Sequence, residues 1–346
     1  MNNKIYYLDE AATAIPRYKV SDFNDNWFNP NSHYSVNSFK EFQKCEETVK
    51  NAIGAKSGRV VFGGNASHFF ETLFDICGNF WYCGHYEHDC VNKYGVAVNY
   101  STIKDAEDEI YCHQFVNNIT GEIFPVEKIG KNIKDGNGFF VCDATAGLGK
   151  ATIPEGIDKW CDAFVMSSHK LGVDNKQIGC AWVSDSFCDY FCLEGTVANG
   201  YGFVFGTPDL ACAKATAKAI VDSIKTVDEN NERYNALLWE MCGLLEEHNI
   251  KYESVYSENR TAAINAIVLY NFNINALCNY LAANHIYISP GHSACETNAN
   301  YRVLKKYGLS QEECESTIRI SFGPYSSMED IKALVNGIVS FKELYL

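Results

Sequence analysis

Residues 163–183 read AFVMSSHKLGVDNKQIGCAWV. Two apolar runs, 163–166 and 178–183, flank a polar turn that holds Ser167, Ser168, His169 and Lys170. Neither run alternates apolar with polar residues, as a strand with one wet face does. Continuously apolar strands belong in sheets covered on both faces, and such sheets are mostly parallel. Residues 59–62 (RVVF), 111–116 and 139–142 carry the same pattern.

Helix-like segments alternate with these strands. In residues 38–53, Phe39, Phe42, Cys45, Val49 and Ile53 recur at spacings of three and four, and Gly54 suits the C-cap. RVVF runs into Gly63-Gly64-Asn65-Ala66-Ser67 and then a second helix-like stretch to about residue 76. The repeated order predicts an α/β domain with a large, doubly wound, mostly parallel sheet. Beyond residue 224 the pattern changes. Helices are expected at 232–248, 274–285 and 328–344, with extended segments at 262–270, 286–289 and 317–322. The expected division is a large domain at 13–224 and a smaller α+β domain made of 225–346 together with 1–12.

Composition is that of a globular chain: 346 residues, 47% hydrophobic and 21% charged. A net charge of -14 argues against a broad nucleic-acid or anionic-membrane surface. The opening MNNKIYYLDE is neither signal nor transit peptide, and no apolar run approaches a spanning length. A cytoplasmic protein with mostly reduced cysteines is expected. There are 15 cysteines, an odd number, so one at least has no internal partner.

In doubly wound sheets ligands sit at the carboxyl ends of the strands. After RVVF, the first turn of a helix offers unpaired N–H groups to a phosphate. After residues 139–142 comes Asp143, a carboxylate that could hold a cation or a protonated ring nitrogen. After residues 163–166 comes Lys170, a candidate amine nucleophile. Asn117 and Asn118 follow residues 111–116. Singly these are ordinary: such a lysine is usually a solvated charge, and such an aspartate a helix cap. Phosphate, ring nitrogen and Schiff-base lysine together describe pyridoxal 5'-phosphate (PLP). The cluster CGHYEHDC places Cys83, His85, His88 and Cys90 close together, but its spacing is not a zinc pattern, and no metal is expected. One cysteine stands apart. Cys295, in GHSACETN, lies among small polar residues instead of in an apolar run.

At this point the chain resembles the cysteine desulfurases, in the class V aminotransferase group of fold-type I PLP-dependent enzymes. YLDEAATA (7–14) is similar to the family's YLDNAATT, EHDCV (87–91) to EHHAV, and VNNITG (116–121) to VNNEIG. CDATAGLGK (142–150) is similar to VDAAQAVGK, FGTPDLA (205–211) to SGTLPV, and GHSACET (291–297) to GSACTS. STIRISFGPYSSMEDI (316–331) is similar to SSIRFSLGRFTTEEEI. The ordered set covers nearly the whole chain.

The resemblance implies a role for each matching position. Lys170 would carry the cofactor covalently and move the substrate's Cα proton. His88 would stack on the cofactor ring, Asp143 would pair with its nitrogen, and Asn118 would lie near its hydroxyl. Ala66, Ser67, Ser167 and His169 would hold the phosphate. Thr207 would reach the partner's phosphate in a homodimer. Arg319 would take the substrate carboxylate. Cys295 would accept sulfur from L-cysteine as a persulfide and pass it to an acceptor protein or small thiol. Its loop position answers such a task, since a nucleophilic thiolate needs access. Several positions depart from the family pattern. Ala146 replaces a glutamine, Val204 an arginine and Glu10 an asparagine, and the loop after Lys170 carries one extra residue. A divergent member is expected. The other readings are a different PLP reaction on the same fold (transamination, selenocysteine or C–S bond cleavage) and a catalytically idle scaffold.

Overall fold

A computed structural model of the chain describes residues 4–26, 28–32, 35–78, 81–100, 103, 108–193, 207–255, 257–291 and 301–346. Two compact units emerge. One comprises Pro16–Phe115 and Phe124–Val227; the other comprises the segment ending at Ile15, Val116–Ile123 and Asp228–Leu346.

The first unit is built on a seven-stranded sheet. Its strands run in the order Arg59–Gly63, Gly179–Val183, Ala163–Ser167, Phe139–Asp143, Ile110–Gln114, Trp81–Cys83, Val96–Ala97. The five from Ala163–Ser167 to Val96–Ala97 are parallel to one another, while Gly179–Val183 is antiparallel to both its neighbours. The apolar runs are explained by double cover. Every residue of Ala163–Ser167, Gly179–Val183 and Ile110–Gln114 is buried. On one face Phe69, Phe70 and Leu73 of helix Ala66–Cys77 pack with Val61, Val141, Val165 and Ala181. On the other, helix Val126–Asp135 lies against Phe140 and the Trp160 carbonyl. The sheet is thus α/β and mostly parallel, with the 178–183 run reversed. The connection through residues 168–178 brings it back antiparallel to Ala163–Ser167.

Helix Val36–Ile53 ends at Gly54, whose φ of 76° is the left-handed cap that glycine supplies. The strand expected at 111–116 stops at Gln114, and Val116 enters the other unit. Helices Val126–Asp135, Asp185–Tyr190 and Leu210–Lys225 are additions to the sequence reading. Gly130 decides how closely the first of these approaches. A Cβ there would sit 1.9 Å from the Trp160 carbonyl oxygen. Helix propensity alone would make Gly130→Ala stabilising. The clash reverses the sign, and the variant is expected to lose about 1–3 kcal/mol in denaturant titration.

The second unit holds a four-stranded antiparallel sheet ordered Ser289–Pro290, Thr317–Ser321, Ile264–Leu269, Tyr252–Ser254. Helices Ile274–Ala283 and Met328–Tyr345 accompany it, the latter opened by a Ser327/Asp330 capping box. Tyr6–Tyr7 pairs with Ile286–Tyr287. Among the described residues no helix is long and apolar enough to cross a membrane.

Candidate active site

Strand register gathers the polar turns of the first unit at one sheet edge. Gly179 pairs with Gly63 on one side and with Ser167 on the other. No side chain intrudes there: a Cβ on Gly179 would lie 2.6 Å from the Met166 carbonyl oxygen and 2.9 Å from that of Gly64. The turn before helix Ala66–Cys77 and the turn after Ala163–Ser167 therefore flank a single glycine. Asp143 closes the next strand, since Asp143 pairs with Val165.

Each turn is held locally. Asn65 caps its helix by accepting from the His68 N–H at 3.2 Å, with Ala66 buried and Ser67 exposed in the first turn. Ser168–Leu171 forms a single 3-10 turn, closed by Gly172 at φ 84°. Ser168 Oγ lies 2.9 Å from Thr216 Oγ1, and Ser167 Oγ lies 2.9 Å from His169 Nδ1. Lys170 is half-buried in this turn. Asp143 is buried, and its Oδ1 accepts from the Thr145 N–H at 2.9 Å. The sequence's alternative for Asp143, a local cap, is thus part of its work, and it occupies only one of the two carboxylate oxygens.

The charge around His169 describes what the edge would accept. Burial pushes its pKa down to about 4, and the ammonium groups of Lys170, Lys176 and Lys150 add to the effect. Three cations converge near a neutral imidazole in a chain of net charge -14. Such a field suits a dianionic phosphate. Beside Asp143, the Thr145 hydroxyl is buried without a hydrogen-bond partner. A buried orphan donor, an available carboxylate oxygen and a basic turn fit the donors and charges of PLP.

His88 follows the strand Trp81–Cys83. It is the N-cap of the short turn Asp89–Asn92, and its Nδ1 accepts from the Cys90 N–H. Cys83 is wholly buried in the core, and among the described residues no three metal-ligating side chains form a group. A second histidine, missed in the sequence, lies close by. His113 is buried on Ile110–Gln114, with Nδ1 2.9 Å from the Gln114 carbonyl and 3.4 Å from Glu87 Oε1. Burial holds its pKa at about 4, so at neutral pH the contact with Glu87 is not an ion pair. Its only signal in the sequence was a histidine inside an apolar strand.

The sign of the pH effect follows. A histidine with a depressed folded pKa stabilises the fold above its unfolded value near 6.5, and that stability is lost as pH falls toward 4. For His113 the difference amounts to about 3 kcal/mol. His113→Gln should flatten the acid limb of the unfolding free energy between those pH values, as read by urea titration.

In the second unit Arg319 is buried, at 2% exposure. Its Nη2 donates to Asp9 Oδ1 at 2.8 Å and to Ser289 Oγ at 3.3 Å, and its Nη1 donates to the Asn118 carbonyl at 3.1 Å. Ser289 Oγ also donates to Asp9 Oδ2 at 2.8 Å. Nε is buried with no partner, a donor left for a further acceptor. Sequence reasoning missed Asp9 and Ser289 as the groups that orient this guanidinium. Asn118 is half-buried beside Asn117, whose Oδ1 accepts from the N–H groups of Ile119 and Thr120. Thr207 is exposed. Cys295 and Val204 lie outside the described residues.

A mostly parallel α/β sheet whose carboxyl edge carries a lysine, a buried aspartate and a basic turn fits the class of PLP-dependent enzymes. The family model described as aminotransferase class-V matches residues 99–334. The chain belongs to the class-V aminotransferase family, whose members depend on PLP. It is similar to the cysteine desulfurase IscS of Clostridium botulinum, 25% identical with 95% of this chain and 92% of the relative covered. Among solved structures it resembles a NifS-like protein with a TM-score of 0.83 at 19% identity, covering 99% of this chain and 100% of the other. It also resembles the cysteine desulfurase of Thermococcus onnurineus, with a TM-score of 0.74 at 20% identity and coverage of 99% and 95%.

Proposed function

We propose that the chain is a PLP-dependent cysteine desulfurase that converts L-cysteine to L-alanine and receives the sulfur on Cys295. The observation that carries this is the set of Lys170, His169, Ser167 and Asp143 on one sheet edge, in a chain that follows cysteine desulfurases over 95% of its length.

When bound, the cofactor supplies an electron sink for the substrate's Cα. The chain's own groups do the rest. Ala66 and Ser67 offer N–H groups at a helix start, and Ser67, Ser167 and His169 bind phosphate oxygens. The neutral His169 can donate there without adding charge. Asp143 would keep the ring nitrogen protonated through its second carboxylate oxygen. His88 would cover the ring, and Asn118 would serve its hydroxyl. Lys170 would hold the cofactor and move the Cα proton. Arg319 takes the substrate carboxylate, with Asp9 fixing the angle of its fork. The Cys295 thiolate bonds to the substrate sulfur as the carbon–sulfur bond breaks. L-alanine leaves, and Cys295 keeps the sulfur as a persulfide, so cysteine plus thiol become alanine plus persulfide. An acceptor protein or small thiol takes the sulfur onward.

The exposed Thr207 would serve the partner's phosphate in a homodimer. A cytoplasmic location agrees with the described cysteines, all of which are free thiols. The test is the product formed from L-cysteine by the PLP-loaded chain with a reductant. Alanine supports the reading. Pyruvate or another keto acid would assign a different PLP reaction, for which the missing glutamine at Ala146 is the place to look.

A further inference from the structure

Cys90 stands in EHDCV where the similar motif EHHAV has alanine. Its Sγ lies 3.1 Å from Nδ1 of His88. The Cys90 backbone N–H reaches the same nitrogen at 3.3 Å. A backbone N–H can only donate, so Nδ1 is an acceptor. A neutral imidazole that accepts at Nδ1 carries its proton on Nε2. With Nδ1 committed in this way, the thiol is also a donor to it.

We propose that Cys90 is a positioning residue for His88, its S–H fixing the ring's rotation and its Nε2–H tautomer. Protonating Nδ1 would set an N–H against the backbone N–H and reverse the thiol contact. The pair therefore holds His88 neutral. A neutral ring can lie on a protonated pyridine without charge repulsion, and it offers an N–H instead of a lone pair from its far side. That consequence rests on the role given to His88 above; the tautomer does not.

The plain alternative is that Cys90 fills space, since it is partly buried and packs against the hydrophobic core. Two variants separate the readings. Cys90→Ala removes donor and sulfur together. Cys90→Ser restores the donor in a smaller volume.

The experiment is nitrogen NMR of the full chain labelled with 15N-histidine, with and without PLP, the His88 ring being assigned through His88→Gln. The wild type should show one protonated and one acceptor nitrogen. Cys90→Ala should mix the two tautomers, and Cys90→Ser should restore the single form. In parallel, kcat for alanine formation should fall about three- to tenfold in Cys90→Ala, the loss of one hydrogen bond, with KM unchanged and recovery in Cys90→Ser. A single Nε2–H tautomer in Cys90→Ala would overturn the proposal, because the backbone cap would then suffice. So would a Cys90→Ser variant that matches Cys90→Ala in both readouts. A tautomer change with no change in kcat supports the positioning and overturns the role assigned to His88.

Discussion

Lys170→Ala should leave a folded chain that forms no measurable alanine, a fall on the order of 10⁴-fold or more, because in the proposed reaction one amine both holds the cofactor and moves the proton. The fold is expected to survive. Lys170 is only half-buried, and its turn is fixed by Gly172 and by the contact of Ser168 with Thr216. The visible absorbance of covalently held PLP should vanish, while PLP added to the variant should still bind through its phosphate. A second readout is independent of turnover. Lys170 is one of the three cations that depress the His169 pKa. Its removal should move the His169 titration up toward 6.5, visible in histidine NMR. Lys176 is the nearest rival in sequence. Lys176→Ala should keep the absorbance of covalently held PLP, and a variant that loses it would transfer the role.

Cys295→Ser should bind PLP and L-cysteine like the wild type and yet form alanine only at background rate. A serine hydroxyl is not ionised near neutral pH and is a poor nucleophile toward sulfur. Mass spectrometry of the wild type after exposure to L-cysteine should find one added sulfur atom on the peptide containing Cys295, and none on that peptide in the variant. Alanine formation by Cys295→Ser at the wild-type rate would remove Cys295 from the reaction.

Much of the fold was legible in the amino-acid sequence. Strands at 139–142 and 163–166 could be read because burial on both faces leaves an uninterrupted apolar run. Gly54 could be read as a cap because no other residue adopts its backbone angle as freely. The reversed direction of Gly179–Val183 could not be read, since a doubly covered strand has the same composition either way up. Helix Leu210–Lys225 was hidden by its alanines, which pack tightly yet give a weak apolar stripe. In the candidate site, Lys170, Asp143 and His169 announced themselves by following strands. Asp9 and Ser289 did not, because their link to Arg319 spans 310 and 30 residues and depends on sheet register. His113 looked like part of a strand, and its neutrality comes only from depth.

The cysteines carry one more consequence. Burial raises the pKa of Cys77, Cys112, Cys142, Cys161 and Cys180, and of the described cysteines only Cys192 is exposed. The fold thus stores nine of the described thiols, all buried, in a form that oxygen and disulfide reagents do not reach. Unfolding releases them together. In air the released thiols couple at random, and the chain has no route back. A thermal scan without reductant will then report the speed of escape from the native state, and its midpoint will climb with heating rate. For this chain, endurance in an oxidising setting is a matter of barrier height, set by the same core packing that keeps the thiols silent.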